Sequence, residues 1–316
     1  MLELVPRLLS GDQRALSRVI SLLERGDPAA AQVMREIDPH TGRAYCIGIT
    51  GPPGAGKSTV ADRLIELLRK RDVSVGVVAV DPTSPFGGGA ILGDRIRMQR
   101  HYLDPGVFIR SVATRGQIGG LSRVVKGLVR LLDAAGMDVI LVETVGVGQT
   151  ELGIIGVADT VVVTLMPESG DAVQILKAGV MEIGDIYLVN KADREGADRM
   201  AAVVTTTLQL GPPKTDWRPP VLLTRGDVGE GIPELWAKIQ EHRESMEASS
   251  ELERRRDKRR QQEFLDAVEE ELGRRLRTLV DRDPQLSAIL TQVGQKKAEP
   301  YSAAMEYLDA HYFPQD

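Results

Sequence analysis

The chain has one cysteine, four histidines and no Cys-x-x-Cys pair in 316 residues. A single thiol, Cys46, excludes a disulfide framework and fits a reducing compartment. Set in an apolar run, it is read as a buried structural thiol. The histidines, at positions 40, 101, 242 and 311, are scattered and leave little for a transition-metal site. No uninterrupted apolar run approaches the roughly 18 residues that a membrane helix needs. Met1 to Ser10 carries Glu3 and Arg7 and lacks a long apolar stretch, which speaks against a signal peptide. Charge of one sign is also scarce: 40 basic against 45 acidic residues leave a formal net charge of −5. That balance gives no general reason to expect nucleic-acid binding. Internal repeats are absent. The expectation is a soluble, cytoplasmic chain with one main domain and appendages.

What is present divides into three stretches. Leu16, Val19, Ile20 and Leu23 recur at helical spacing until Gly26-Asp27-Pro28 stops them, and a second short helix is predicted over Ala29–Ile37. From Tyr45 the pattern becomes short β-branched runs alternating with helical stretches. The predicted strands are Tyr45–Thr50, Val73–Val80, Val107–Val112, Val139–Val145, Thr160–Met166, Ile186–Asn190 and Val221–Thr224. They are nearly continuous in apolar residues, as parallel strands covered on both faces are, and the intervening helices imply right-handed βαβ units. From about Ser245 the chain turns highly charged, with Phe264, Leu265, Val268, Leu272, Leu276 and Leu279 spaced three and four apart. This reads as a helical arm whose apolar face needs cover, on its own core or on a second copy. The expected boundaries are 1–42 for a helical N-terminal extension, 43–245 for an α/β domain with a mostly parallel sheet, and 246–316 for the arm. The basic run Arg254-Arg255-Arg256-Asp257-Lys258-Arg259-Arg260 lies among Glu251, Glu253, Glu263 and Asp266, so a salt-bridged helix face is expected rather than a nucleic-acid patch.

Two motifs carry chemistry. Gly51-Pro52-Pro53-Gly54-Ala55-Gly56-Lys57-Ser58 follows a strand and opens a helix, the context a phosphate-binding loop requires. Gly54, Ala55, Gly56, Lys57, Ser58 and Thr59 are expected around phosphate oxygens, bound by backbone N–H groups and the helix N-terminus. Lys57 is the expected catalytic cation on the β- and γ-phosphates, and Ser58 a hydroxyl ligand to Mg²⁺. Asp81 and Glu143 end strands at the sheet edge where ligands bind and are further candidates for the metal region. Asp94 is a candidate for the metal or for the attacking water. Gly146 is placed to offer an N–H to the γ-phosphate.

The second motif, Asn190-Lys191-Ala192-Asp193, ends a later strand. A carboxylate at Asp193 accepts from both the ring N–H and the amino group of guanine, a pair adenine lacks. Lys191 is expected to pack its stem on the base and Asn190 to tie loops together. Arg225-Gly226, after the last strand, is expected to offer a backbone N–H to the base carbonyl. GTP and GDP are the expected ligands.

Gly51–Thr59, Asp81–Phe86, Gly93–Met98, Glu143–Gln149, Ser169–Gln174 and Asn190–Asp193 together resemble the MeaB/ArgK type of GTPase in order and spacing, over nearly the whole chain. The resemblance implies a P-loop NTPase fold, a homodimer formed through the arm, and escort of an adenosylcobalamin-dependent acyl-CoA mutase such as methylmalonyl-CoA mutase. It assigns Ser58, Asp81, Asp94 and Glu143 to the Mg²⁺ region and makes Asp171, Gln174 and Lys177 switch residues that communicate with the mutase. It departs at Arg225-Gly226, where the family commonly has Ser-Ala. Rival readings are weaker. A protein kinase lacks an evident acceptor-binding site here, a metal-insertion GTPase calls for clustered Cys and His, and a non-hydrolysing scaffold is separated by a turnover assay.

Overall fold

Seven apolar runs become seven parallel strands in a computed structural model that describes residues 1–81, 98–113, 123–144, 153–167, 180–210, 217–280 and 282–312. The strands are β1 (Tyr45–Thr50), β2 (Val75–Asp81), β3 (Val107–Ala113), β4 (Val139–Thr144), β5 (Thr160–Leu165), β6 (Ile186–Asn190) and β7 (Val221–Thr224). They form one sheet in the order β3-β2-β4-β1-β5-β6-β7, every neighbouring pair parallel. Central strands β1, β4, β5 and β6 are buried throughout, whereas edge strand β7 buries only Thr224. Continuous apolar runs thus mark strands with both faces covered.

The helices among the described residues are α1 (Leu4–Leu9), α2 (Gln13–Arg25), α3 (Pro28–Ile37), α4 (Lys57–Arg69), α5 (Arg123–Ala134), α6 (Ala197–Leu210), α7 (Ile232–Ala248), α8 (Glu251–Val280), α9 (Pro284–Gly294) and α10 (Pro300–His311). Asp12 caps α2 by accepting from Arg14 N and Ala15 N, and Gly26 ends it at φ +68°. Leu16, Val19 and Ile20 are buried with α5 residues Val125, Leu128 and Leu131 and with Cys46, Ile140 and Val142 of the sheet. The opposite face packs α4 and α7 on Ile47, Ile49, Val77 and Leu141. Cys46 is buried and takes part in no disulfide.

The described chain divides into Met1–Arg256 and Asp257–Asp316, the division falling within α8. In the second unit Phe264, Leu265, Val268, Leu272 and Leu276 are exposed along α8. No helix of the described residues is long and apolar enough to cross a membrane. In the run Arg254–Arg260, ion pairs form both along the helix and away from it. Arg254 and Arg255 do pair with Glu251, but Arg255 also reaches Asp185 at 3.2 Å and Arg256 reaches Asp159 at 2.6 Å. Asp159 and Asp185 are buried where β5 and β6 begin, so these two arginines fasten the start of α8 to the sheet edge. His242 completes this polar layer. It is fully buried, with Nδ1 2.8 Å from Thr160 Oγ1 and Nε2 3.4 Å from Asp185 Oδ1.

Candidate functional site

The carboxyl end of β1 lies at the point where chain order in the sheet reverses, between β4 and β5. From it runs the loop of Gly51 to Gly56. Gly51 sits at φ +134°, and a Cβ there would lie 2.0 Å from the Thr164 carbonyl oxygen of β5. Gly56 sits at φ +88°, and its Cβ would lie 2.3 Å from Asn190 Nδ2. Only glycine lets the loop pass so close to its neighbours. Lys57 then opens α4, which points its helix N-terminus at the loop. The buried Lys57 ammonium donates to the carbonyls of Gly51 at 2.9 Å and Pro52 at 3.0 Å, so the cation is held over the loop.

Ser58 Oγ donates to Glu143 Oε1 at 2.5 Å, both residues being buried. The strand register sets this up: Ile49 pairs with Glu143 across β1 and β4, and Ala79 pairs with Glu143 across β2. Thr144 Oγ1 donates to Thr50 Oγ1 at 2.8 Å and ties the same strand ends together. Adjacent ligands in a Mg²⁺ octahedron stand about 3 Å apart. At 2.5 Å the two oxygens are hydrogen-bonded to each other rather than spaced as adjacent ligands. Hard oxygen donors of this kind fit Mg²⁺, which keeps several waters and needs few protein ligands. Among the described residues no three His, Cys, Asp or Glu side chains cluster as a transition-metal site. A cavity of about 340 Å³ is lined by Gly54, Gly56, Lys57, Ser58, Thr59, Glu143 and Lys191, in the size range of small-ligand sites.

On the other side of the loop, Asn190 ends β6. Its Nδ2 donates to the Ala55 carbonyl at 2.8 Å, while its Oδ1 accepts from Thr224 Oγ1 at 3.2 Å and Gly226 N at 3.0 Å. One buried amide thus joins the phosphate loop to the ends of β6 and β7. Lys191 follows at φ +58°, a left-handed conformation, with its ammonium 3.8 Å from Met166 Sδ. Asp193 is exposed, and its Oδ1 lies 3.9 Å from Arg225 Nε. After β7, Gly226 N–H goes to Asn190 and Arg225 N–H to the Glu230 carbonyl.

One residue escaped the motifs. Arg63, on the polar face of α4, donates from Nε to the Gly226 carbonyl at 3.2 Å and from its terminal nitrogen to the Asp227 carbonyl. Its other nitrogen pairs with Glu66 at 3.1 Å. Hydrogen bonding from Lys70, then from Arg63, holds the Glu66 carboxyl down at about 2. Nothing in local spacing marks these contacts of Arg63, since the two carbonyls it reaches lie more than 160 positions away. Asp94, Gly146, Asp171, Gln174 and Lys177 lie outside the described residues, and Asp81 is described only as the backbone that ends β2.

Residues 16–281 match the family of the methylmalonyl Co-A mutase-associated GTPase MeaB. A putative GTPase of Pyrococcus abyssi is 51% identical over 305 residues, covering 96% of this chain and 94% of that protein. GTPase ArgK of Escherichia coli is 33% identical over 322 residues, covering 98% of this chain and 97% of its own. The crystal structure of a LAO/AO transport system kinase superposes with a TM-score of 0.74 at 27% identity, over 96% of this chain and 95% of that one. The phosphate loop, the joined guanine-type motif and this likeness over nearly the full length converge: the chain belongs to the MeaB family and is a GTP-hydrolysing enzyme.

Proposed function

We propose that this chain is a Mg²⁺-dependent GTP switch that serves an adenosylcobalamin-dependent acyl-CoA mutase, gating cofactor loading and protecting the mutase from inactivation. The observation that carries the reading is the match of residues 16–281 to a family described by its association with methylmalonyl-CoA mutase. Gly54 to Thr59 bind the phosphates through backbone N–H groups, and Lys57 stabilises charge on the transferring phosphoryl group. Ser58, with Glu143, Asp81 and Asp94, holds the metal region. Mg²⁺, when bound, neutralises charge on the β- and γ-phosphate oxygens. Gly146 addresses the γ-phosphate. Asn190 braces the pocket, Lys191 covers the base, and Asp193 selects guanine.

Asp171, Gln174 and Lys177 relay nucleotide state to the mutase. Residues 246–316 form a dimerisation arm. The exposed row Phe264, Leu265, Val268, Leu272 and Leu276 supports that assignment, since an apolar face of this length is covered in a stable assembly. The test is steady-state GTP hydrolysis by the purified protein, alone and with methylmalonyl-CoA mutase or a related mutase from the same source. A marked rise with one mutase and not the others is the expected result. A rate that no mutase alters removes the partner assignment while leaving the GTPase.

A further inference from the structure

The turn after β7 is wrapped around one side chain of the phosphate helix. Arg63, whose side chain is 30% exposed, donates from Nε to the Gly226 carbonyl at 3.2 Å and from a terminal nitrogen to the Asp227 carbonyl. A Cβ built on Gly229, at φ +80°, would lie 3.8 Å from Arg63 Cδ, so the turn closes over the arginine stem. The turn is itself fixed, with the N–H groups of Val228 and Gly229 both on the Arg225 carbonyl. Gly226 also packs on the first turn of α4, where its Cβ would meet Thr59 Cγ2 and Val60 Cγ2 at 3.5 Å. The guanidinium is held ready. Glu66 takes its remaining nitrogen at 3.1 Å and is anchored in turn by Lys70 at 2.8 Å and Arg100 at 3.0 Å.

The Gly226 peptide is therefore gripped from both sides. Its carbonyl accepts from Arg63 of α4, and its N–H donates to Asn190 Oδ1 at 3.0 Å. Asn190 Nδ2 donates to the Ala55 carbonyl at 2.8 Å, and the chain from Ala55 runs through Lys57 into α4 and back to Arg63. These links close a ring of phosphate loop, α4, Arg63, Gly226, Asn190 and phosphate loop again. We propose that Arg63 is a positioning residue for the bound nucleotide, acting through Gly226 on Asn190 and not by touching the ligand. It fixes the spacing between the phosphate loop and the guanine-type motif, which a single nucleotide spans, and a closed ring resists the parting that lets the nucleotide leave. The proposal rests on the reading of Asn190 as the brace of the nucleotide pocket. Arginine suits the place, since its planar fork reaches two successive carbonyls and a lysine ammonium does not. The plainer reading is that a partly exposed arginine fastens a surface turn and contributes to stability alone.

The two differ in what loss of the fork does to nucleotide release. The full chain is loaded with N-methylanthraniloyl-GDP, and release is followed after a chase with excess GDP. Arg63→Met is expected to release the probe about ten-fold faster, the effect of one hydrogen bond from a charged donor, with association little changed. Arg63→Lys, which reaches one carbonyl at a time, is expected to fall between, and it carries the comparison if the methionine variant does not fold. Release within about two-fold of wild type in the variants that fold, with only the urea midpoint lowered, overturns the proposal. Combining a folded Arg63 variant with Asn190→Ala tests the route. A ring opened at one link gains little from being opened at a second, so the double variant is expected to exceed the faster single variant by no more than about two-fold. Effects that multiply show that Arg63 acts apart from Asn190 and also overturn the proposal. Asn190→Ala alone separates these failures from failure of the underlying reading: wild-type release in that variant shows that Asn190 does not brace the pocket, and the proposal falls with it.

Discussion

Asn190 Nδ2 donates to the Ala55 carbonyl at 2.8 Å, across a sheet in which β6 and β1 are separated by β5. The guanine-type motif and the phosphate loop are therefore one hydrogen-bonded unit rather than two sites that happen to face the same cavity. The same amide accepts from Thr224 and Gly226, so three strand ends share one side chain.

Asn190→Ala breaks all three bonds and leaves buried donors and an acceptor without partners, at a cost of roughly 2–3 kcal/mol. Urea denaturation is expected to show that loss with an unchanged slope, together with at least about ten-fold weaker GDP binding. Wild-type affinity in this variant would mean that the junction does not organise the pocket.

Gly56→Ala places a methyl group against the Asn190 amide and strains a backbone at φ +88°. Gly42 is a built-in control, with φ +98° and nothing within 4 Å of its Cβ position. Both alanine variants are expected to lose about 1–3 kcal/mol of stability from left-handed strain. Only the Gly56 variant is expected to lose nucleotide binding as well, and isothermal titration distinguishes them.

Glu143→Gln keeps the shape beside Ser58 but removes the charge that accepts its proton. The Mg²⁺ concentration for half-maximal GTP turnover is expected to rise about 10- to 100-fold, the usual effect of losing a partner that orients a metal ligand. GDP binding measured without Mg²⁺ is expected to stay near wild type. An unchanged Mg²⁺ requirement would remove Glu143 from the metal region.

Seven strands were legible because buried parallel strands print themselves as apolar runs, and β1, β6 and β7 match their predicted limits to the residue. The misplaced limits have local causes. Val73 belongs to the turn after α4, where its N–H goes to the Leu68 carbonyl and its own carbonyl takes Arg69, with Asp72 at φ +58°. The motifs located the loop and Asn190 because each sits at a strand end with fixed spacing. Arg63, the Arg256–Asp159 pair and the His242 layer were not legible, since in each the partner lies far along the chain. Side-chain reach across a fold leaves no period to read.

Burial holds the His242 imidazole below its ordinary pKa, aided by Arg255 and opposed by Asp185 and Asp159. The unfolded chain takes up that proton as pH falls through about 6.5, while the folded protein does so only lower. Stability contributed by the neutral ring is thus present above about pH 6.5 and is lost as pH falls from there towards the folded pKa. Chemical denaturation from pH 7.5 to 5.5 is expected to show this loss in wild type and to be flatter in His242→Gln. The loss tied to Glu66, held at about 2, falls in a separate window below about pH 5.

The most direct test of the account is the nucleotide preference of Asp193→Asn in steady-state hydrolysis of GTP and XTP. The amide presents a donor where xanthine carries its 2-carbonyl oxygen, so kcat/KM is expected to reverse in favour of XTP, with kcat near the wild-type value for GTP. A variant that still hydrolyses GTP in preference to XTP would contradict the assignment of the base pocket, and with it the reading of Asn190 as the joint between base and phosphate.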